Sequence, residues 1–123
     1  MRPRFFNGFH RCLPVLATAG NDLIVEHVIE YRTWREELSR LLTDFDVFLV
    51  GVHCDLAEID RREHERGDRR AGEGRAHVEI NGMHTFGPYD YEVNTTNGVS
   101  TTLVQSVVTA WRSRGARRAL TTF

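Results

Sequence analysis

The chain has 123 residues, 41% of them hydrophobic, and a formal net charge of −1. That is one domain with enough apolar content for a core, which excludes global disorder; the missing basic excess argues against a nucleic-acid binder. No apolar run approaches the length of a membrane span, and Cys12 and Cys54 lack the spacing of a disulfide framework, so a cytoplasmic protein with reduced thiols is expected.

The first twenty residues are basic and then apolar, but His10 and Arg11 interrupt the apolar part, which argues against a secretory leader. Phe5, Phe9, Cys12, Leu13 and Leu16 recur at helical spacing, with Gly20 as the stop, and Pro14 inside the pattern predicts a kink or break. Asp22–His27 is a short apolar run of strand type. Thr33 and Glu36 form a capping box before a helix with Trp34, Leu38, Leu41 and Leu42 on one face. Asp46–His53 is apolar on both faces, as a buried parallel strand should be.

Asp55 and Glu58 make a second capping box, and the helix that follows runs to Gly67. Then comes the arginine-rich stretch within Glu65–Arg75, and a weakly patterned short helix over 75–84. Tyr89–Thr95 reads as a third strand. Ser100 caps a last helix with Leu103, Val104, Val107, Val108 and Trp111 on its buried face, and the tail from Arg112 reads as frayed. Alternation of this kind predicts an α/β domain with a parallel sheet.

Ligands of such sheets bind at the carboxyl ends of the strands. Those ends are Glu26–His27, His53–Cys54–Asp55 and Asn94–Thr95–Thr96, polar where the strands are apolar. Glu26 is a candidate magnesium ligand, directly or through water; a cap or a solvated loop residue explains it equally well. Ile59, Arg62 and Arg66 share one helix face, and Arg69 and Arg70 follow Gly67, an arrangement suited to a polyphosphate. Glu58, Glu63, Glu65 and Asp68 offer the alternative of ordinary surface ion pairs, and composition does not decide between the two. No histidine pair at HxxxH spacing and no G-x-S-x-G elbow is present. All 16 basic residues are arginine, so no mechanism that needs a lysine runs on this chain alone.

Linked strings resemble the chloramphenicol phosphotransferase family of P-loop kinases. Asp46-Val47 with Val50-Gly51-Val52-His53-Cys54 matches its D-V-x-x-V-G-V-x-C strand, and Arg66-Gly67-Asp68-Arg69 matches R-G-D-R. His84, Tyr89-Asp90 and Glu92-Val93-Asn94-Thr95 match H-x4-Y-D-x-E-V-D-T, with Asn94 where the family commonly has Asp. Glu26 matches the first of an acidic pair ending the family's third strand, and His27 replaces the second. The resemblance covers Phe5 to Trp111.

The resemblance implies a single incomplete P-loop kinase-like domain over 1–123, a three-layer α/β/α fold retaining strands 3, 4 and 5, with a lid at about 66–75. It implies ATP and Mg2+ as cofactors, a small-molecule alcohol as substrate, and a place in antibiotic resistance. Arg66 and Arg69 match the family's lid arginines, which neutralise charge in phosphoryl transfer; Arg62 and Arg70 are added on geometric grounds. Asn94, Thr95 and Thr96 match the stretch whose backbone approaches adenine.

The G-x-x-x-x-G-K-[ST] loop, its lysine, the catalytic aspartate and strands 1 and 2 are missing from these residues. The expectation is therefore an O-phosphotransferase portion without activity of its own. The alternatives are a non-catalytic nucleotide- or phosphate-binding or interaction module, or part of another nucleotide or sugar kinase. In a 2-3-1-4-5 sheet the slot between Asp22–His27 and Phe48–Val52 is empty, and uncovered helix faces and self-association through the open edge are expected, unless the two strands pair directly. Neither nucleic acid nor membrane is expected as a partner.

Overall fold

A computed structural model describes residues 2–67 and 82–121. In chain order these form α1 (Arg2–Thr18), α2 (Arg32–Leu41), β1 (Val50–His53), α3 (Leu56–Arg66), a 3-10 turn (Met83–Thr85), β2 (Tyr91–Asn94) and α4 (Thr101–Arg112). The expected short helix over 75–84 falls largely outside the described residues; only the 3-10 turn at its end is inside them. None of the described helices is long and apolar enough to cross a membrane.

β1 and β2 pair in parallel, Val50 opposite Tyr91 and His53 opposite Asn94, so the expected parallel α/β arrangement is present as a two-stranded sheet. The strand expected at Asp22–His27 does not form: residues 21–30 are irregular, and Ile24 is fully exposed with Leu23 and Val25 substantially so. A strand needs a ladder neighbour for its N–H and C=O groups. Among the described residues none lies beside this segment, so no direct pairing with Phe48–Val52 occurs either.

The strand expected over Asp46–His53 is likewise shortened to its last four residues. Ahead of it, the Asp90 carboxylate accepts from Leu49 N at 2.6 Å, and Leu49 O accepts from Asp90 N at 2.8 Å. Asp90 thus continues the ladder with its side chain.

The core is Leu13 of α1, Leu38 and Leu42 of and just after α2, and Leu120 of the C-terminal tail, with Phe9, Ile29, Phe45 and Leu49 packed against it. The Trp34–Leu38 face expected to be uncovered is therefore covered, by α1. The other expectation holds in part: α4 has no fully buried residue, and Val104 and Trp111 of its expected buried face are exposed. Two strands are too narrow to cover a three-turn helix.

The tail is not frayed. Leu120 and Thr121 are buried, Ser39 Oγ donates to Leu120 O at 2.6 Å, and Ala119 N donates to Asp90 Oδ1 at 2.8 Å. Arg118 and Arg114 both bind Asp46, whose carboxyl lies below its ordinary range because of the Arg118 hydrogen bond first.

The caps divide. Ser100 Oγ accepts from Leu103 N at 3.1 Å, and Gly67 closes α3 in the left-handed region at φ 66°, both as expected. The Thr33–Glu36 box is absent, because α2 starts two residues earlier with Tyr31 as its uncapped N-cap. Asp55 occupies the N-cap position of α3 but makes no side-chain cap; Glu58, the other half of the box, is drawn to Arg61 and Arg62, and Asp55 N donates to Thr96 Oγ1 instead. Pro14 neither breaks nor ends α1, which continues to Thr18 and turns out at Gly20, φ 95°.

Candidate functional site at the carboxyl ends of the strands

β1 and β2 end side by side at His53 and Asn94, and the chain leaves both into polar turns. Thr95 N donates to His53 O at 2.8 Å, carrying the ladder one step further. Thr96 N donates to Asn94 Oδ1 at 2.9 Å, and Asp55 N donates to Thr96 Oγ1 at 2.9 Å. Side chains thus satisfy the backbone groups that the strand ends leave open, and the two turns are fixed to one another.

Arg62 reaches across from α3. Its Nη1 donates to Thr95 Oγ1 at 3.0 Å, its Nη2 donates to Thr95 O, and its Nε donates to Glu58 Oε1 at 3.0 Å. Arg61 also binds Glu58, and binds Glu65 at 2.6 Å. Hydrogen bonds from Arg61 first, then Arg62, hold the Glu58 carboxyl down to about 2. Between α3 and the turn after β2 lies an open polar cavity of about 520 Å³, lined by Glu58, Arg61, Arg62, Thr96, Asn97 and Gly98. Gly98 has φ 93°, a conformation costly for any residue with a Cβ.

The structure brings together Arg62, Asn94, Thr95 and Thr96 of the expected site residues. Arg66 is exposed at the last turn of α3, one helical turn beyond Arg62. Arg69 and Arg70 lie outside the described residues. Glu26 stands in the irregular 21–30 segment, apart from these turns, and no group of three or more His, Cys, Asp or Glu among the described residues is arranged to hold a metal ion. The choice between surface pairs and phosphate ligands takes a definite form: Arg61 and Arg62 do pair with acids, and they also wall the cavity.

Sequence reasoning missed Arg61, which lies off the face shared by Ile59, Arg62 and Arg66. It also missed a cluster on the sheet face beside the strand ends. There His53 Nε2 lies 2.9 Å from Glu92 Oε1, the His84 ring centre is 4.1 Å from that of His53, and His84 Nδ1 is 2.7 Å from Tyr89 Oη. In the sequence, His84, Tyr89 and Glu92 are marked only by the family string they match. A second cavity, about 680 Å³, runs along α4 beside Tyr91 at the opposite end of β2, and its lining includes no charged side chain.

A family model described as "Chloramphenicol phosphotransferase-like protein" matches residues 1–112. Two curated proteins of Mycobacterium tuberculosis, each named "Putative O-phosphotransferase", from strains CDC 1551 / Oshkosh and ATCC 25618 / H37Rv, are 34% identical over 87 residues. The match takes in 71% of this chain and 38% of each relative, so the chain corresponds to well under half of their length. No solved structure gives a significant match.

Proposed function

The chain belongs to the chloramphenicol phosphotransferase-like family, and we propose that it is the nucleotide-facing portion of an ATP-dependent small-molecule O-phosphotransferase. The observation that carries this reading is the polar cavity at the carboxyl ends of β1 and β2, walled by Arg61 and Arg62 and floored by the Thr96–Gly98 turn. Guanidinium groups beside the polar side chains of Thr96 and Asn97 suit a phosphate or a polar heterocycle. Arg62 holds the wall to the floor through Thr95, while Arg61, half-exposed, is the cation best placed to turn from Glu65 to an incoming anion. Arg66, at the last turn of α3, and Arg69, by the family's string match, are assigned to the lid with the neighbouring Arg70. Asn94, Thr95 and Thr96 present the turn to the base.

For Mg2+ the described residues do not supply a set: Glu26 is a single carboxylate in an exposed segment, so no step is assigned to the ion. ATP, when bound, supplies the transferable phosphoryl group. The chain contributes charge and orientation to it, and lacks the lysine that would contact that group. The chain alone is therefore read as inactive, and the acceptor is an alcohol of small size.

Phosphoryl transfer and nucleotide binding are tested separately. The purified chain is titrated with ATP by NMR, followed at the amides of Thr96, Asn97 and Gly98, and is assayed with labelled ATP and chloramphenicol. Weak, salt-sensitive shifts without transfer are expected, reduced by Arg61→Ala. Transfer above a blank would overturn the inactivity, and absence of any shift would overturn the nucleotide site.

The absent lysine favours one second reading, a non-catalytic phosphate-binding module. A phosphate loop encoded in frame upstream of Met1 would exclude it. Exposed Ile24 and the two-stranded sheet also support self-association, which sedimentation over a range of concentrations reads directly.

A further inference from the structure

The His53–His84 stack has a use that nucleotide binding does not exhaust. It joins three parts of the chain: His53 ends β1, Glu92 lies in β2, and His84 sits in the 3-10 turn through which the chain returns to the sheet. His53 and Glu92 share one face of the sheet, because Gly51 pairs with Glu92 and His53 with Asn94. On that face Tyr89 lies so close to Gly51 that a Cβ there would meet its ring at 2.5 Å. His84 reaches Tyr89 Oη through Nδ1 and covers His53 with its ring. The turn is thus docked on β1 by two aromatic contacts, both made through titratable rings.

The charges facing the stack are unequal to two protons. From β2 comes one carboxylate, Glu92, bonded to His53. From α2 comes Arg35, whose guanidinium lies 5.7 Å from the Tyr89 ring centre and donates to Pro88 O. Asp90, on the same loop, has both oxygens committed to the Leu49 and Ala119 amides. A proton on one of the two rings is offset by the single Glu92 carboxylate. Protons on both would set two imidazolium rings 4.1 Å apart with a single carboxylate, bonded to His53, to offset them and a guanidinium over Tyr89.

We propose that the His53–His84 stack is an acid-operated latch: with no more than one of its rings protonated it holds the 83–90 turn on β1, and with both protonated it releases that turn. Geometry and charge count carry this. In accord with them, burial first and His53 second hold the His84 ring below its ordinary value, with Glu92 opposing. The sign follows. A ring held neutral in the docked state favours docking fully above its free value of about 6.5, and that preference is lost as pH falls toward the lowered value.

The test follows the imidazole C–H signals of His53 and His84 by NMR across the acid range, with hydrogen exchange at residues 82–90 read alongside. The expected result is His84 titrating below its ordinary value, with protection against exchange at 82–90, corrected for the intrinsic pH dependence of amide exchange, falling at least tenfold through the His84 transition while β2 stays protected. His53→Gln, which removes one charge and keeps a polar side chain, should raise the His84 midpoint and move the exchange transition with it. Glu92→Gln should lower that midpoint. His84 titrating at its free value in all three proteins, or protection at 82–90 unchanged across the His84 transition, would overturn the latch. These readouts use no nucleotide, so they stand or fall apart from the proposed function.

Discussion

The Tyr89 ring lies against the α-carbon of Gly51, so close that any side chain at 51 would have to displace it. A Cβ there would sit 2.5 Å from Cδ2 and 2.6 Å from Cε2. Tyr89 cannot retreat freely, because Arg35 lies over it and His84 holds its hydroxyl. Gly51→Ala should therefore destabilise the chain by about 1–3 kcal/mol, the cost of overpacking a filled site. Urea denaturation of the two proteins measures this, and an unchanged midpoint would mean that the ring stack is loose.

Asp90 closes two gaps at once. One oxygen accepts from Leu49 N at 2.6 Å at the entry to β1, and the other accepts from Ala119 N at 2.8 Å in the tail. Asp90→Asn keeps the size but replaces one acceptor with a donor, leaving one of these amides facing an N–H. A loss of about 1–3 kcal/mol is expected, with increased hydrogen exchange at whichever of Leu49 and Ala119 loses its partner. Equal stability of the two proteins would argue against the double tie.

These two relationships also mark how far the sequence could be read. Features set by neighbours in the chain were legible: the Gly67 and Ser100 caps, the Val50–His53 and Tyr91–Asn94 strands, and the shared face of Arg62 and Arg66. Features set by distant partners were not. "LIV" at 23–25 has strand composition, but a strand is made by its neighbour, and none is beside it among the described residues. "RSRGARRALTTF" is polar and arginine-rich, yet Asp46 and the leucine core tie it down from about seventy residues away in sequence. The Asp55–Glu58 box lost to a stronger local competitor, since an arginine pair outbids a backbone amide for the Glu58 carboxylate. In the site, the helix period pointed to Arg62 but could not show its bond to Thr95.

Arg62 should be irreplaceable by lysine. Its fork holds Thr95 by both the hydroxyl, 3.0 Å away, and the carbonyl, and Thr95 is buried. Lysine offers a single point of charge and cannot span both acceptors. Arg62→Lys should cost about 0.5–1.5 kcal/mol through the weakened tie between α3 and the turn, Thr95 O keeping its bond from Gly98 N, and should raise exchange at the end of β2. Preserved stability with a loss of nucleotide shifts would instead make Arg62 a ligand residue whose bond to Thr95 is incidental.

The deepest ring in the molecule sets an acid limit on the α1–α2 corner. His10 is fully buried, with Nδ1 3.4 Å from Glu37 Oε2 and Nε2 2.9 Å from Nε2 of His27. His27 stacks on Phe6 and Trp34. The two Nε2 atoms, 2.9 Å apart, need one donor and one acceptor, so protonating both rings sets N–H against N–H. Burial, and then His10, accordingly lower the His27 ring to about 4 from 6.5. A group held neutral in the fold stabilises it fully above its unfolded value; that contribution declines as pH falls below 6.5 and is spent at about 4. Solvent reaches part of the ring, so the loss is a slope in stability and not a collapse. His27→Gln, which keeps a polar group without the titration, should flatten that slope. Denaturation midpoints at pH values on either side of the 4 to 6.5 window measure it in both proteins, and a slope as steep in the variant as in the parent would place the acid sensitivity elsewhere.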